Sequence, residues 1–434
     1  MKGTKLTIRP GKALRGRLRM PGDKSISHRA LLLGAIADGR TQVENLLAAG
    51  DCLATLQALR ALGVDAEQGS ATSVSVHGRG LRGLREPPGV LDCARSATTM
   101  RLVAGLAAGQ RFLTVLSGHD QLLGRPMGRV VEPLRRMGAT ILGRDGGQLA
   151  PLAIQGGRLR GIEHELTVPS AQVKSALLLA GLYAQGPTTI VCAAPSRDHT
   201  ERMLLAMGAP VALADGQVSV RPVDGLSPLE LTVPGDFSSA AFLIVAATLV
   251  PGSEISIDGV GVNPTRTGLL DALASMGATV TVDNWRSDGG EPVADLTVRA
   301  SELTGATVQG ALTVRTVDEL PILTIAATQA AGQSEVRDAA EMRVKESDRI
   351  AATVEGLRLF GADITPSSDG FVVRGPTPLR GCAVPSYGDH RLAMAFVVAG
   401  LVASGETVVH GMDLVSDSYP GFAEALAGLG AELT

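Results

Sequence analysis

Six stretches of the chain share one order of polar and apolar positions: a polar or Pro/Gly turn, then a helix-length run of Ala, Leu, Val and Ile. They are PGDKSISHRALLLGAIA from Pro21, DCARSATTMRLVAGLAA from Asp92, VPSAQVKSALLLAGLYA from Val168, VPGDFSSAAFLIVAATL from Val233, VRTVDELPILTIAATQA from Val314 and VPSYGDHRLAMAFVVAG from Val384. Each predicts a helix apolar on every side, which must be buried. A second phrase recurs later in each unit, as ALGVDA, RMGATI, AMGAPV, SMGATV, LFGADI and GLGAEL. Its glycines, Gly63, Gly138, Gly208, Gly277, Gly361 and Gly430, lie 69 to 84 residues apart. Glycine suits the left-handed residue that ends a helix, and the residues after it predict a strand. Amphipathic stretches such as DCLATLQALRAL and DRIAATVEGLRLF supply a second helix. The unit therefore reads strand, helix, strand, helix, then one or two strands. Repeats of this length are too long for a helical solenoid, and six of them predict compact α/β domains with a helical interior.

The start of each first helix is crowded with Ser, Thr, Asp, Lys, Arg or His. A buried helix leaves amide N–H groups free at that end, with a partial positive charge, so converging ends would form an anion trap. The stretch DCARSATTMRL poses the choice sharply: Arg95, Ser96, Thr98, Thr99 and Arg101 suit an anion site, or simply a well-capped helix. Composition narrows the ligand. The 434 residues carry a net charge of -3, yet residues 1–40 hold ten Lys or Arg against Asp23 and Asp38. With three Tyr and one Trp there is little to stack bases, so a small, strongly anionic substrate fits better than nucleic acid. Cys52, Cys93, Cys192 and Cys382 are scattered without metal-ligand or disulfide spacing, and no metal or cofactor is expected. The apolar runs are too short or interrupted to span a bilayer, and the opening MKGTKLTIRPGK is not a signal segment. A cytoplasmic protein that binds neither membrane nor nucleic acid is expected.

PGDKSISHRA, SATTMRL, GRPM, VPSAQVKSALL, RDHTERML, VDELPIL, RVKESDR and GDHRLAMA occur in one order along the chain. Together they resemble the 5-enolpyruvylshikimate-3-phosphate synthases (3-phosphoshikimate 1-carboxyvinyltransferases, EC 2.5.1.19) over essentially the whole sequence. The resemblance implies a two-domain inside-out α/β barrel, the enolpyruvyl transferase fold, with six βαβαββ repeats, three per domain. The domains would be 21–234, continuous, and 1–20 plus 235–434, discontinuous. Their helix ends would face an interdomain cleft that closes on substrate and excludes water. A monomer is expected.

The implied reaction joins shikimate-3-phosphate to phosphoenolpyruvate: a hydroxyl attacks C2 of the enol, a proton adds at C3, and phosphate leaves. Two phosphates and two carboxylates call for many cations and fixed N–H donors. By the resemblance, Lys24 touches both substrates, and Ser25, Arg29, Ser170, Ala171, Gln172, Arg197, Asp318 and Lys345 hold shikimate-3-phosphate. Ala97, Arg125, Gln172, Arg349 and Arg391 hold phosphoenolpyruvate, with His390 assisting. Lys174 reads as structural or peripheral. Asp318 would accept the hydroxyl's proton and Glu346 would handle the methylene proton, as acid and then base. The residues alone divide the first role evenly between Asp318 and Glu319. Spacing places Arg349 beside Glu346 on a helix face, where an ordinary solvated salt bridge is the plain alternative. Pro126 fits the first turn of the helix after Arg125.

Arg95 stands where many family members have Asn, Ala97 where many have Gly, and Asp417, ahead of Tyr419, where some have Lys. Ala97 resembles the glyphosate-tolerant class: its methyl should crowd that inhibitor, so weak inhibition is expected. The rival acceptor is UDP-N-acetylglucosamine, used by a sister family with Lys-Asn at the first helix and a reactive cysteine before its RP motif. Here Lys24-Ser25 and the cysteine-free SGHDQLLGRPM stand instead. A non-enzymatic repeat scaffold or an enzyme acting on RNA phosphate ends would share the repeats without the ordered cations.

Overall fold

A computed structural model describes residues 4–434; Met1–Gly3, the start of the opening segment and of the discontinuous domain, lie outside the described residues. The chain divides into two compact units. One comprises Gly22–Pro234 with Ser287–Glu291, the other Met1–Pro21, Gly235–Arg286 and Pro292–Thr434.

Each repeat builds one four-stranded sheet, and all six sheets share an order. The leading strand lies parallel to the second, the second pairs antiparallel with the fourth, and the third closes the edge. Glu163–Leu166, Thr188–Cys192, Gln217–Val220 and Val211–Ala214 form one such sheet. Three sheets borrow a strand from a distant part of the chain. Glu230–Thr232 leads the sheet of the first repeat, beside Arg40–Glu44. Arg15–Arg19 leads that of the fourth, beside Glu254–Gly261. Lys5–Arg9 is the last strand of the sixth, between Thr407–His410 and Glu432–Leu433.

The six apolar stretches are the helices Lys24–Ala35, Ala97–Ala108, Ala171–Gly181, Phe237–Leu249, Leu320–Gln329 and His390–Val402. They form the cores of the two units, three in each. In Phe237–Leu249 every residue through Thr248 is buried, as expected for a helix with no polar face. Five of the six are capped by a side chain that accepts from a first-turn amide: Asp23, Ser96, Ser170, Asp236 and Asp389. The sixth starts after Glu319 and carries Pro321 in its first turn, where a missing N–H costs nothing. All six closing glycines have positive φ, from 84° at Gly63 to 116° at Gly138. Gly105 serves close packing instead. A β-carbon there would lie 2.2 Å from the carbonyl oxygen of Ala176, so its absence lets the second and third helices approach at backbone contact.

The sequence assigns all of 235–434 to the discontinuous domain, but the hairpin tip Ser287–Glu291 groups with the other unit. Glu291 is buried there, 2.8 Å from Nδ1 of His199, and the Asp288 carboxylate accepts from the Thr232 amide at 3.2 Å. A buried carboxylate needs such a partner, which fixes where the tip goes. Among the described residues no helix is long and apolar enough to cross a membrane.

Candidate active site

In the Gly22–Pro234 unit, the helix starts bring the basic and amide side chains together. Lys24 opens its helix and donates to the Asp51 carboxylate at 3.1 Å. Arg29, one turn on, is buried and donates to the carbonyl of Ser25 at 2.8 Å, the hydroxyl of Thr200 at 2.7 Å and that of Ser175 at 2.8 Å. Burial pulls its guanidinium down to about 10, and it stays charged near neutrality. The i, i+4 relation of Ser25 and Arg29 is thus a backbone-to-guanidinium hydrogen bond that fixes the first turn. Gln172 donates to the Thr98 hydroxyl at 2.8 Å and accepts from Arg101, which also donates to the carbonyl of Pro126 at 2.8 Å. This links the starts of the second and third helices to the loop that carries Arg125. Ala97 is buried as the first residue of a helix capped by Ser96, and Ala171 is the first residue after the cap Ser170. Lys174, read in the sequence as structural or peripheral, is buried against Glu201 at 2.6 Å. Arg197 is half-buried just before the helix His199–Ala206.

The other unit gathers the carboxylates. Asp318 lies 3.3 Å from Nη1 of Arg349, 3.8 Å from Nζ of Lys345 and 4.0 Å from Nη2 of Arg391. Arg349 is 1 % exposed; it also meets Glu346 at 2.5 Å and Asp389 at 2.7 Å. Burial alone would push its guanidinium down, but the charges of Asp389, Glu346 and Asp318 outweigh that and raise it. Burial likewise works against an ionised Asp389, yet Arg349 and then His390 hold its carboxyl below the usual range. Burial moves Lys345 downward against the pull of Asp318. His390 is the first residue of its helix, behind the Asp389 cap.

Asp318 and Glu319, equivalent in sequence, differ here. The Asp318 side chain keeps 13 % exposure among three cations, whereas Glu319 keeps 1 % and accepts from the Ser238 hydroxyl. Two local readings need correction. Glu346 is not on a helix: it lies between the short helical turn Ala340–Val344 and the helix Arg349–Leu359, because Asp348 caps that helix and Arg349 is its first residue. Its contact with Arg349 is a loop-to-helix ion pair with a buried partner, not a solvated i, i+3 bridge. Pro126 also falls outside its helix, which runs Gly128–Met137 after Met127.

Residues 8–426 match the family EPSP synthase (3-phosphoshikimate 1-carboxyvinyltransferase). A 3-phosphoshikimate 1-carboxyvinyltransferase of Desulforudis audaxviator is 53 % identical over 427 residues, covering 98 % of this chain and 100 % of the relative. One from Geobacter sp. strain M21 is 52 % identical over 423 residues, covering 98 % of both. The chain belongs to the EPSP synthase family. The solved EPSP synthase of Acinetobacter baumannii superposes with a TM-score of 0.90 at 43 % identity over 99 % of both chains. The enolpyruvyl transferase NikO of Streptomyces tendae shares the fold alone, with a TM-score of 0.82 at 19 % identity over 100 % of this chain and 99 % of that one. As an EPSP synthase the protein transfers the enolpyruvyl group of phosphoenolpyruvate to the 5-hydroxyl of shikimate-3-phosphate and releases phosphate. Family membership decides the acceptor in favour of shikimate-3-phosphate over the UDP-sugar.

Several residues that shape this EPSP synthase were not singled out in the sequence. Asp51 reads there as part of an amphipathic helix, and Asp389 only as part of the GDHRLAMA motif. The Asp in GDHR could have signalled a partner for the RVKESDR arginine, since a buried arginine requires one. Asp65, Glu67 and His77 place potential ligand atoms within 4.8 Å of one another, a grouping absent from the sequence reading. Hairpin register explains it, because Asp65 pairs with His77 across two strands.

His28 is fully buried, with Nδ1 2.7 Å from the Thr55 hydroxyl. Burial, the dominant cause, pushes its pKa from 6.5 down to about 3. A neutral imidazole in the fold that would protonate when unfolded contributes stability above pH 6.5, lost progressively as pH falls toward 3. Denaturant unfolding between pH 7 and 5 should show stability falling by up to about 1.4 kcal/mol per pH unit from this group. His28→Asn should flatten that dependence, and an unchanged slope in the variant would refute the assignment.

Proposed function

We propose that Asp318 and Glu346 carry the proton transfers of the enolpyruvyl exchange and that the basic side chains around them hold the anions. Asp318 takes the proton of the shikimate-3-phosphate 5-hydroxyl as its oxygen bonds to C2 of phosphoenolpyruvate. Glu346, having taken up a proton from solvent, delivers it to C3, making a methyl group. It then removes one as the C2–O bond to phosphate breaks, leaving the enolpyruvyl ether and inorganic phosphate. Lys24, Arg125, Gln172, Arg349 and Arg391 hold phosphoenolpyruvate. Lys24, Ser25, Arg29, Ser170, Ala171, Gln172, Arg197 and Lys345 hold shikimate-3-phosphate, and His390 assists beside Arg391. The observation that carries this reading is the Asp318 carboxylate, part-exposed within 4.0 Å of three cations while Glu319 is turned into the core. Cations so close favour the ionised form that a base requires.

Ala97 sets which anion fits. Its buried methyl, at a helix start otherwise supplied with hydroxyls, crowds glyphosate more than the shorter substrate, by about 1–3 kcal/mol. We further read the protein as a cytoplasmic monomer.

Asp318→Asn and Glu346→Gln should each lower kcat for phosphate release by about 10²–10⁴-fold with smaller changes in KM. Near-normal turnover in Asp318→Asn would refute its role as base. Glyphosate should inhibit weakly and Ala97→Gly should increase sensitivity; submicromolar competitive inhibition of the unmodified enzyme would count decisively against the Ala97 reading. Sedimentation should give a mass near 44.6 kDa, and twice that value would exclude a monomer.

A further inference from the structure

Three buried polar side chains outside the proton-transfer pair form a chain that ends on Arg391. Arg266 is 3 % exposed and donates through Nη2 to the Ser238 hydroxyl at 2.7 Å and to the Asp236 carboxylate at 3.2 Å. Ser238 in turn hydrogen-bonds Oε1 of Glu319. The same Oε1 lies 3.6 Å from Nη1 of Arg391, and that nitrogen donates to the carbonyl of Asp318 at 3.0 Å.

Chemistry fixes the direction. A guanidinium has only donors, so the Ser238 oxygen must accept from Arg266. Its single O–H is directed at Oε1 of Glu319, which accepts. Thus Arg266 orients the serine, the serine pins Oε1, and Oε1 with the neighbouring carbonyl of Asp318 sets one edge of the Arg391 guanidinium. The elements involved are the segment before the helix Gly268–Ser275 and the starts of the helices Phe237–Leu249, Leu320–Gln329 and His390–Val402. A fully buried carboxylate is costly unless paired, and the partners of Glu319 are the Ser238 hydroxyl and the Arg391 guanidinium. A fixed pose for Arg391 accounts for its presence.

We propose that Glu319, Ser238 and Arg266 are positioning residues that aim the Arg391 guanidinium at phosphoenolpyruvate. The proposal rests on the assignment of Arg391 to that substrate. A guanidinium binds a carboxylate through two parallel N–H bonds, and its affinity depends on the angle at which the fork is held.

Steady-state phosphate release by the full chain, with each substrate varied in turn, tests this. Glu319→Gln keeps the volume but removes the charge; it should raise KM for phosphoenolpyruvate about tenfold while KM for shikimate-3-phosphate stays within about twofold and kcat falls less than KM rises. Ser238→Ala should shift the same KM in the same direction by a smaller factor, and Ser238→Thr, which keeps the hydroxyl, should lie nearer the unmodified enzyme. Thermal melts establish that each variant is folded, and the serine variants keep the test open if Glu319→Gln does not fold. An unchanged phosphoenolpyruvate KM in folded Glu319→Gln or Ser238→Ala, or an equal rise in both KM values, overturns the proposal. Arg391→Lys separates the two layers. If it leaves the phosphoenolpyruvate KM unchanged, the underlying assignment of Arg391 is wrong; if it raises that KM while the other variants do not, the positioning chain alone is wrong.

Discussion

Burying a helix on every side leaves one problem, the first-turn amides that have no partner within the helix. Six helices here are buried in that way, and the polar residues at their starts answer the demand. Asp23, Ser96, Ser170, Asp236 and Asp389 each accept from a first-turn N–H. Because these ends must be polar, they are also the places where Lys24, Gln172, Asp318 and Arg391 can stand without interrupting the apolar bodies behind them. The candidate site is built from the boundary between capping and core.

Charge balance decides what those residues become. Arg349 is almost wholly buried, and such a guanidinium survives only because Asp389, Glu346 and Asp318 surround it. The cluster holds the arginine charged and gives Glu346 a fixed partner in a segment that has no helix of its own. Asp389 does two jobs with one carboxylate, capping its helix through Oδ1 and binding Arg349 through Oδ2. In the Gly22–Pro234 unit the balance is different. Arg29 is satisfied by neutral hydroxyls and a carbonyl, so its charge is not cancelled by a hydrogen-bonded carboxylate.

The repeats were legible because both of their signals are local. An apolar run of helical length behind a polar turn, and a glycine where the backbone turns left-handed, need no knowledge of the rest of the chain. The ordered motifs carried the family and with it the acceptor. What failed were inferences from spacing alone: Glu346 and Pro126 read as helical but lie outside helices, since Asp348 and the turn at Met127 start those helices later. The hairpin tip Ser287–Glu291 was assigned by sequence position, whereas its buried Glu291 is held by His199.

The sequence by itself determined six α/β units, buried first helices with polar starts, and membership of an enolpyruvyl-transferring family, because periodicity, capping and motif order are properties of neighbouring residues. The residues by themselves divide Asp318 and Glu319 evenly, and the tertiary structure separates them, since both sit in the same VDELPIL stretch and differ by what the rest of the chain brings to them. Lys345 and Arg349 sit beside the first, the Ser238 hydroxyl receives the second, and Arg391 lies within 4.0 Å of both. Partners separated by up to 81 residues decide burial and charge, and no local pattern encodes which of two adjacent carboxylates will meet them.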